Sequence, residues 1–234
     1  MKKIAFLVFG LALVTGVVLA SITSIGNGRL RSPVSFVFGS KVHGSGNIVT
    51  DNRQTGDFSG VDVGGILNVE IKKGETVSVI VEADDNVAPL IKTVVKDGTL
   101  KIWSEKKFKT KNGVRVFVSA PNIERIDSSG VAKVSYTGIS GGSLEVEASG
   151  ASKVELAGNV ESLDIDMSGA SRIAAKKLVA ETADVDGSGA ASLTVQVNST
   201  LRADVSGPSS VNYSGDPAEL KKSVSGAGRV NKID

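Results

Sequence analysis

The chain has 234 residues, of which 41% are hydrophobic and 22% are charged, which is enough for a buried core and excludes general disorder. The absence of cysteine and the single histidine exclude disulfides, thiolate metal sites and sites built from several imidazoles. Lysine and arginine number 27 against 25 acidic residues, so the basic excess of a nucleic-acid binder is missing and we expect no nucleic-acid partner. The 27 glycines and 4% aromatic residues favour a repetitive β architecture.

The amino terminus predicts export from the cytoplasm. Two lysines precede an uncharged apolar run over residues 4–20, and the small residues around Ala20 form a cleavage site typical of a signal peptide. The alternative is an uncleaved anchor, because no charge occurs from Ile4 to Gly28. Residues 1–25 are therefore predicted to be a helical signal peptide or membrane anchor. The rest would lie in the periplasm or cell envelope of a bacterium, touching the membrane only through this segment.

Residues 26–43 predict a linker with one short strand over residues 34–38, and a β-helix domain follows over residues 44–234. Its first part, residues 44–125, is rich in β patterns without a tight repeat. Asp97-Gly98 is a typical hairpin turn. The other predicted elements are strands over residues 61–71, 76–83 and 115–118, a turn at Lys73-Gly74, and a short helix over residues 85–92 capped by Asp84 or Asp85.

The second part, residues 126–234, repeats with a period of about 19 residues. Six Ser-Gly pairs recur with glycine spacings between 18 and 20 residues, and similar residues flank each pair. The glycines that we predict to form the structural corners are Gly130, Gly150, Gly169, Gly189, Gly207 and Gly226.

Each repeat contains two short runs of alternating apolar and polar residues, such as residues 144–148 before a corner and residues 154–156 after it. A glycine between them lets the chain turn sharply, and a coil of this length has no room for a helix. The repeat therefore predicts an all-β fold, a parallel β-helix. We expect the right-handed form, because spacings of 18 to 20 residues do not keep the six-residue period of left-handed β-helices.

Several motifs resemble those of a known family. Gly-Ser-Gly-Asn at residues 44–47, Phe-Ser-Gly-Val at residues 58–61, the stretches 79–86 and 97–102, and the Ser-Gly-Ala-Ser repeat are similar to the bacterial head GIN domain, described as the head of an auto-transporter adhesin. The resemblance covers about residues 44–230. It implies a right-handed β-helix in an envelope protein and implies no catalytic or ligand-binding residues.

Stacking the repeats on their glycines predicts columns of equivalent side chains about 4.8 Å apart along the axis. Two neighbouring columns would form an acidic patch of six carboxylates: Glu145, Glu147, Asp164, Asp166, Asp184 and Asp186. Oxygen ligands at this density suit a hard cation such as calcium, or a basic or polyhydroxylated partner. The alternative is an ordinary charged solvent face beside the column of Lys153 and Arg172. We expect no cofactor apart from this calcium hypothesis.

Other motifs carry little chemistry. Residues 138–142 match Gly-x-Ser-x-Gly, but no helix pattern follows, and His43 lies in the linker, so no nucleophile is predicted. The lysine-rich residues 106–111 predict a solvated hairpin tip, with contact to anionic lipid or glycan as the alternative. Trp103 and Phe108 are scattered and predict no sugar-stacking row, while Lys222 at a core position predicts a cap that blunts the last strand.

These features favour a non-catalytic, exported envelope module that binds or adheres to a protein or a glycan. One alternative is a glycan-active β-helix enzyme, a lyase or hydrolase, which would need carboxylates in a cleft. The other is a periplasmic domain that binds or senses a cation.

Overall fold

A computed structural model describes residues 41–234, which form strands almost throughout. Within this range there is no α-helix, only a 3-10 helix over Ala88–Leu90, and no helix that could cross a membrane. The signal or anchor predicted over residues 1–25 and the strand predicted over residues 34–38 lie outside the described residues. The first strands are β1 (Val42–His43), β2 (Ile48–Arg53), β3 (Gly60–Val63), β4 (Asn68–Lys73), β5 (Ser78–Asp84), β6 (Ile91–Lys96), β7 (Thr99–Ser104), β8 (Phe108–Lys109) and β9 (Arg115–Ala120).

The remaining strands are longer and more regular. They are β10 (Arg125–Ser128), β11 (Lys133–Ala148), β12 (Lys153–Met167), β13 (Arg172–Gly187), β14 (Ser192–Val205), β15 (Ser210–Ser214), β16 (Glu219–Val224) and β17 (Arg229–Lys232). Apart from the two-stranded pair of β1 and β8, they all belong to one continuous sheet. The prediction of a parallel β-helix is confirmed.

The coils stack in two ladders. Ladder A contains the strand segments that precede the corner glycines, in the order β6, β7, β3, β10, β11, β12, β13, β14 and β16. Ladder B contains the segments that follow them, in the order β2, β5, β9, β4, β11, β12, β13, β14, β15 and β17. The long strands β11 to β14 contribute to both ladders. Alternate residues of each segment point inward and form one core of small and aliphatic side chains that includes Tyr136 and Tyr213.

The corners stack backbone on backbone. All six corner glycines have φ between +66° and +77°, a region that other residues rarely adopt. A Cβ on Gly169 would lie 2.5 Å from the carbonyl oxygen of Gly150 below it, too close for any side chain. That same oxygen accepts a hydrogen bond of 2.7 Å from the amide of Ala170. The glycine is therefore required both for the turn and for the close approach of successive coils.

The amino-terminal part uses the same ladders in a different order. Strand β3 lies between β7 and β10, and β4 lies between β9 and β11, so the first coil is enclosed by coils that come later in the chain. The prediction of a single strand over residues 61–71 is wrong, because the chain turns a corner at Gly64-Gly65 between β3 and β4. This corner stacks on the corner at Gly130. The hairpin turn at Asp97-Gly98 is confirmed and joins the antiparallel strands β6 and β7.

The helix predicted over residues 85–92 is also wrong. Residues 85–87 form a turn, Pro89 belongs to the 3-10 helix, and Ile91 already pairs with Ser104 of β7. The proline removes an amide donor, and the hydrogen bonds offered by β7 outweigh local helix propensity. Asp84 caps no helix, and its carboxylate instead accepts hydrogen bonds from Gly46, Thr110 and Asn112.

The carboxyl-terminal coil ends the core. Lys222 of β16 is in register with Ala203 of β14, whose column continues inward through Val185 and Ile165. The lysine side chain is exposed, as is most of β16. A charge at a core position exposes the last strand to solvent and prevents another strand from pairing with it.

Candidate binding surfaces

The outer surface of ladder A carries the predicted acidic columns. Glu145 pairs with Asp164, which pairs with Asp184, and Glu147 lies in the neighbouring column, in register with Asp127 of the coil before it. That second column continues through Asp166, Asp186 and Asp204. We call this surface the aspartate face; it consists of the six predicted carboxylates and Asp204. Partners along each column are separated by the strand spacing of roughly 4.8 Å, so the carboxylates crowd one another.

Arginines lie at the two ends of one column of this surface, with Arg125 in register with Glu145 and Arg202 in register with Asp184. The guanidinium of Arg125 lies 3.5 Å from a carboxylate oxygen of Glu145 and forms a closer ion pair with Glu147. The aspartates of the two columns, by contrast, form no ion pair with any residue in the described range 41–234. Partial desolvation and the charges of neighbouring aspartates raise the pKa values of Asp164 and Asp186. The middle of the aspartate face therefore carries negative charge that no ion pair within residues 41–234 neutralises.

The carboxylates line shallow depressions. One, of about 170 Å³, is bordered by Asp166, Asp186 and Asp204. Another, of about 510 Å³, lies at the start of the ladder A strands and is bordered by Glu145 and Asp164. Among residues 41–234, no three acidic or histidine side chains converge closely enough to hold a metal ion. Calcium binding at the aspartate face stays a prediction.

The largest cavity is a groove in the amino-terminal part, with a volume of about 950 Å³. Its lining includes three exposed apolar side chains, Ile66, Trp103 and Val131, which we call the floor. It also includes five lysines and one acid, Glu105, which we call the rim. We call it the lysine groove; it is lined mainly by residues 64–68, residues 103–110, Val114 and Val131, with Lys41 and Lys133 at its edge. Sequence reasoning missed it, because its residues lie far apart in the chain.

Two earlier interpretations change at this groove. Residues 106–111 do not form a hairpin tip, because Phe108 and Lys109 pair in parallel with Val42 and His43. Trp103 and Phe108 are not scattered, because both line the groove. The long loop between β7 and β9 replaces a tight glycine corner and provides one wall of the groove.

Two of the stretches that resemble the family, residues 44–47 and 79–86, meet in a buried cluster around Asp84. This carboxylate is 1% exposed and accepts hydrogen bonds from the Gly46 amide at 3.0 Å, the Asn112 side chain at 3.2 Å and the Thr110 hydroxyl. A Cβ on Gly44 would lie 2.1 Å from the same carboxylate. Residues 44–47 therefore pack over the Asp84 carboxylate. Its hydrogen bonds indicate that Asp84 stabilises the fold by holding these loops together.

The Gly-x-Ser-x-Gly match has an unexpected neighbour. Lys73 donates a hydrogen bond of 2.5 Å to the Ser140 hydroxyl. A serine–lysine nucleophile requires a lysine that is desolvated, whereas both of these residues are exposed on the surface of β4 and β11. The pair is an ordinary surface hydrogen bond between coils, and His43 lies elsewhere, in β1.

The stacked coils and their two ladders define the protein as a β-solenoid with charged outer faces. A family model described as "Putative auto-transporter adhesin, head GIN domain" matches residues 57–217. The chain therefore belongs to the head GIN domain family, as its motifs indicated. A comparison with curated protein sequences finds no match.

Solved structures share the fold. The chain is 21% identical to a "putative adhesin" from Bacteroides fragilis, with a TM-score of 0.69, over 82% of this chain and 100% of that one. It is 17% identical to a "putative adhesin" from Parabacteroides distasonis, with a TM-score of 0.50, over 83% and 100% of the two chains. At these identities the likeness establishes the architecture alone.

Proposed function

We propose that this protein is a non-catalytic module of the bacterial cell envelope that binds a protein or a glycan with the flat outer faces of its coils. The observation that carries the proposal is the coil register, which repeats equivalent side chains at constant spacing over an extended surface. Such a surface matches an extended or repetitive partner better than a small substrate. The adhesin description of its family and the predicted export agree with this role.

Within these faces, the aspartate face is the surface to test first. Its aspartates form no ion pair among the described residues, and the charges of neighbouring aspartates raise the pKa values of Asp164 and Asp186, so a positively charged partner would relieve their mutual repulsion. Binding by this route would weaken as the salt concentration rises, because exposed charges are screened.

A screen of the full chain against envelope polysaccharides and membrane-protein extracts tests the proposal, with a turnover assay on each glycan that binds. We expect retention without turnover. The double variant Asp166→Asn, Asp186→Asn should lose at least about tenfold in affinity for a cationic partner. The matched control Glu161→Gln, Glu181→Gln removes two exposed charges from the same coils at the bend between the ladders, and should bind normally. Equal binding by both variants would remove the aspartate face from the proposal.

Calorimetric titration with calcium tests the remaining alternative, a domain that binds or senses a cation. Heat of binding that disappears in the Asp166→Asn, Asp186→Asn variant would establish a cation-binding domain. Absence of heat would leave a macromolecular partner as the ligand of this face.

One observation favours an enzyme as the second candidate. The raised pKa of Asp164, next to the depression of about 510 Å³, is a property that a glycosidase acid requires. Turnover of any bound glycan that is abolished by Asp164→Asn would establish that function instead.

A further inference from the structure

We propose that the lysine groove binds a lipid with an anionic headgroup, whose acyl chains cover the apolar floor while the lysines contact the headgroup. The groove lies on a different surface from the aspartate face, so this inference stands independently of the proposed function.

The floor of the groove is unusually apolar for a surface. Ile66 is 68% exposed, Val131 is 56% exposed and Trp103 is 39% exposed, and all three line the groove. Elsewhere among residues 41–234, the large exposed apolar side chains lie near the two ends of the solenoid, such as Val94 and Val224. Apolar surface concentrated in a concave site typically marks a place where an apolar ligand binds.

The repeat shows that these side chains are a local exception. Val131 follows the corner Gly130, and Ile66 follows Gly65, on which that corner stacks. The equivalent positions in the next three coils are Ala151, Ala170 and Ala190, each donating the same backbone hydrogen bond to the corner below. Alanine therefore satisfies the corner, and the branched aliphatic side chains at this position, Ile66 and Val131, both line the groove. Packing in the coil does not require them.

The positive charges at the rim indicate that the lipid headgroup is anionic. Lys41, Lys106, Lys107, Lys109 and Lys133 line the groove, and none of them forms an ion pair with another described residue. The single acid of the rim, Glu105, pairs with Lys92 at 3.3 Å and so does not neutralise them. Five uncompensated ammonium groups around an apolar floor complement an anionic amphiphile, whereas a sugar or a soluble anion would leave the floor uncovered.

Charge also argues against the chain's own amino terminus as the occupant. Residues 1–40 contain four basic residues and no acidic residue, so they would add positive charge to the lysine rim. An anionic lipid satisfies both the rim and the floor.

The chain provides its own reporter for a test, because Trp103 is its only tryptophan. The full-length chain is titrated with short-chain phosphatidylglycerol below its micelle concentration, and with phosphatidylcholine of the same chain length. We expect phosphatidylglycerol to shift the Trp103 emission to shorter wavelength and to bind about tenfold or more tightly than phosphatidylcholine. Phosphatidylglycerol with brominated acyl chains should quench the emission, since bromine quenches tryptophan on contact.

Matched variants assign the effect to the groove. Lys106→Gln, Lys107→Gln should weaken phosphatidylglycerol binding about tenfold or more, while Lys176→Gln, Lys177→Gln, an adjacent exposed pair on β13, should leave it unchanged. Ile66→Ser, Val131→Ser should weaken binding of both lipids, and Val94→Ser, Val224→Ser is the control for exposed apolar surface. All eight positions have exposed side chains, so the variants should fold.

Four results would overturn the proposal. They are no spectral change with phosphatidylglycerol, an equal response to phosphatidylcholine, an equal response to glycerol phosphate alone, and equal weakening by the two lysine pairs. An emission that is already shifted without lipid would show that the groove is filled by the chain's own amino-terminal segment. An emission that depends on protein concentration would show that a second copy fills it, and either finding rejects a lipid.

Discussion

The regular coils after residue 125 and the part before it share the same two ladders but are held together differently. In the regular coils each strand pairs with its neighbours in the sequence, and the corners stack through backbone hydrogen bonds. In the amino-terminal part the strand order departs from the chain order, three strand pairs are antiparallel, and a buried carboxylate binds side chains from distant loops. Repetition stabilises the first region, whereas specific long-range contacts stabilise the second.

The difference extends to the surfaces. Coils in register produce a flat face on which equal charges are aligned, as on the aspartate face. The irregular part replaces a tight corner with a long loop, which provides one wall of a concavity of about 950 Å³, the lysine groove. A function that needs a long, repetitive surface would use the coils, whereas a function that needs a pocket would use the amino-terminal part.

The largest expected effect breaks the stacking of the coils. Gly169→Val should lower the free energy of unfolding by about 4 kcal/mol, because valine is strained at positive φ and its Cβ would strike the Gly150 carbonyl. Chemical denaturation measures the loss. Gly142→Val is the control, since Gly142 has open space around it, and a similar loss there would contradict the stacking argument.

The next effect is confined to the amino-terminal part. Asp84→Ala leaves the Gly46 amide and the Thr110 and Asn112 side chains without their acceptor, so we expect a loss of about 3 kcal/mol. Hydrogen exchange should show that β2 and β5 open before the coils. Asp85→Ala, at the exposed neighbour, should have little effect. Uniform loss of protection along the whole chain would show that the two regions are not separately stabilised.

Within the coils, buried serines distinguish packing from hydrogen bonding. Ser171 is 1% exposed and its hydroxyl has no hydrogen-bond partner within residues 41–234, while Ala191 occupies the equivalent position one coil later. Ser171→Ala should therefore stabilise the protein by about 1 kcal/mol. The Ser209 hydroxyl donates a hydrogen bond of 2.5 Å to the Ser206 carbonyl. Ser209→Ala should therefore destabilise the protein by about 1 kcal/mol. Thermal unfolding compares the two, and a change of the same sign in both would refute this reasoning.

The smallest effect concerns charge on the coil surface. Asp164 and Asp186 have pKa values above the ordinary 3.8, so their ionisation destabilises the folded state at neutral pH, and this penalty disappears as the pH falls through the raised values. Asp164→Asn, Asp186→Asn should raise stability at pH 7 by a few tenths of a kcal/mol. The gain, measured against the wild type in denaturant, should vanish well below pH 3.8. A less stable variant at pH 7 would mean that these aspartates are compensated.

The sequence predicts the coils well because a parallel solenoid aligns equivalent residues vertically. Once the Ser-Gly pairs are superposed, the register of Glu145 with Asp164 and of Asp164 with Asp184 follows directly. The amino-terminal part has no such repeat, so neither the position of β3 between β7 and β10 nor the partners of Asp84 could be obtained from local patterns. One feature of the lysine groove is visible in the sequence, since Val131 stands after a corner glycine where later coils have alanine. The sequence does not show that Trp103 and Ile66 lie beside Val131, so the groove could not be predicted from it.

The enclosure of the first coil bears on how the molecule assembles. During synthesis β3 and β4 emerge early, yet their neighbours β10 and β11 come about 60 residues later. Until those strands arrive, one edge of each early strand lacks a backbone partner, and long-range pairing of this kind is slow. The backbone pairing of the amino-terminal half is therefore completed only by the carboxyl-terminal strands, and the amino-terminal half alone would expose unpaired strand edges.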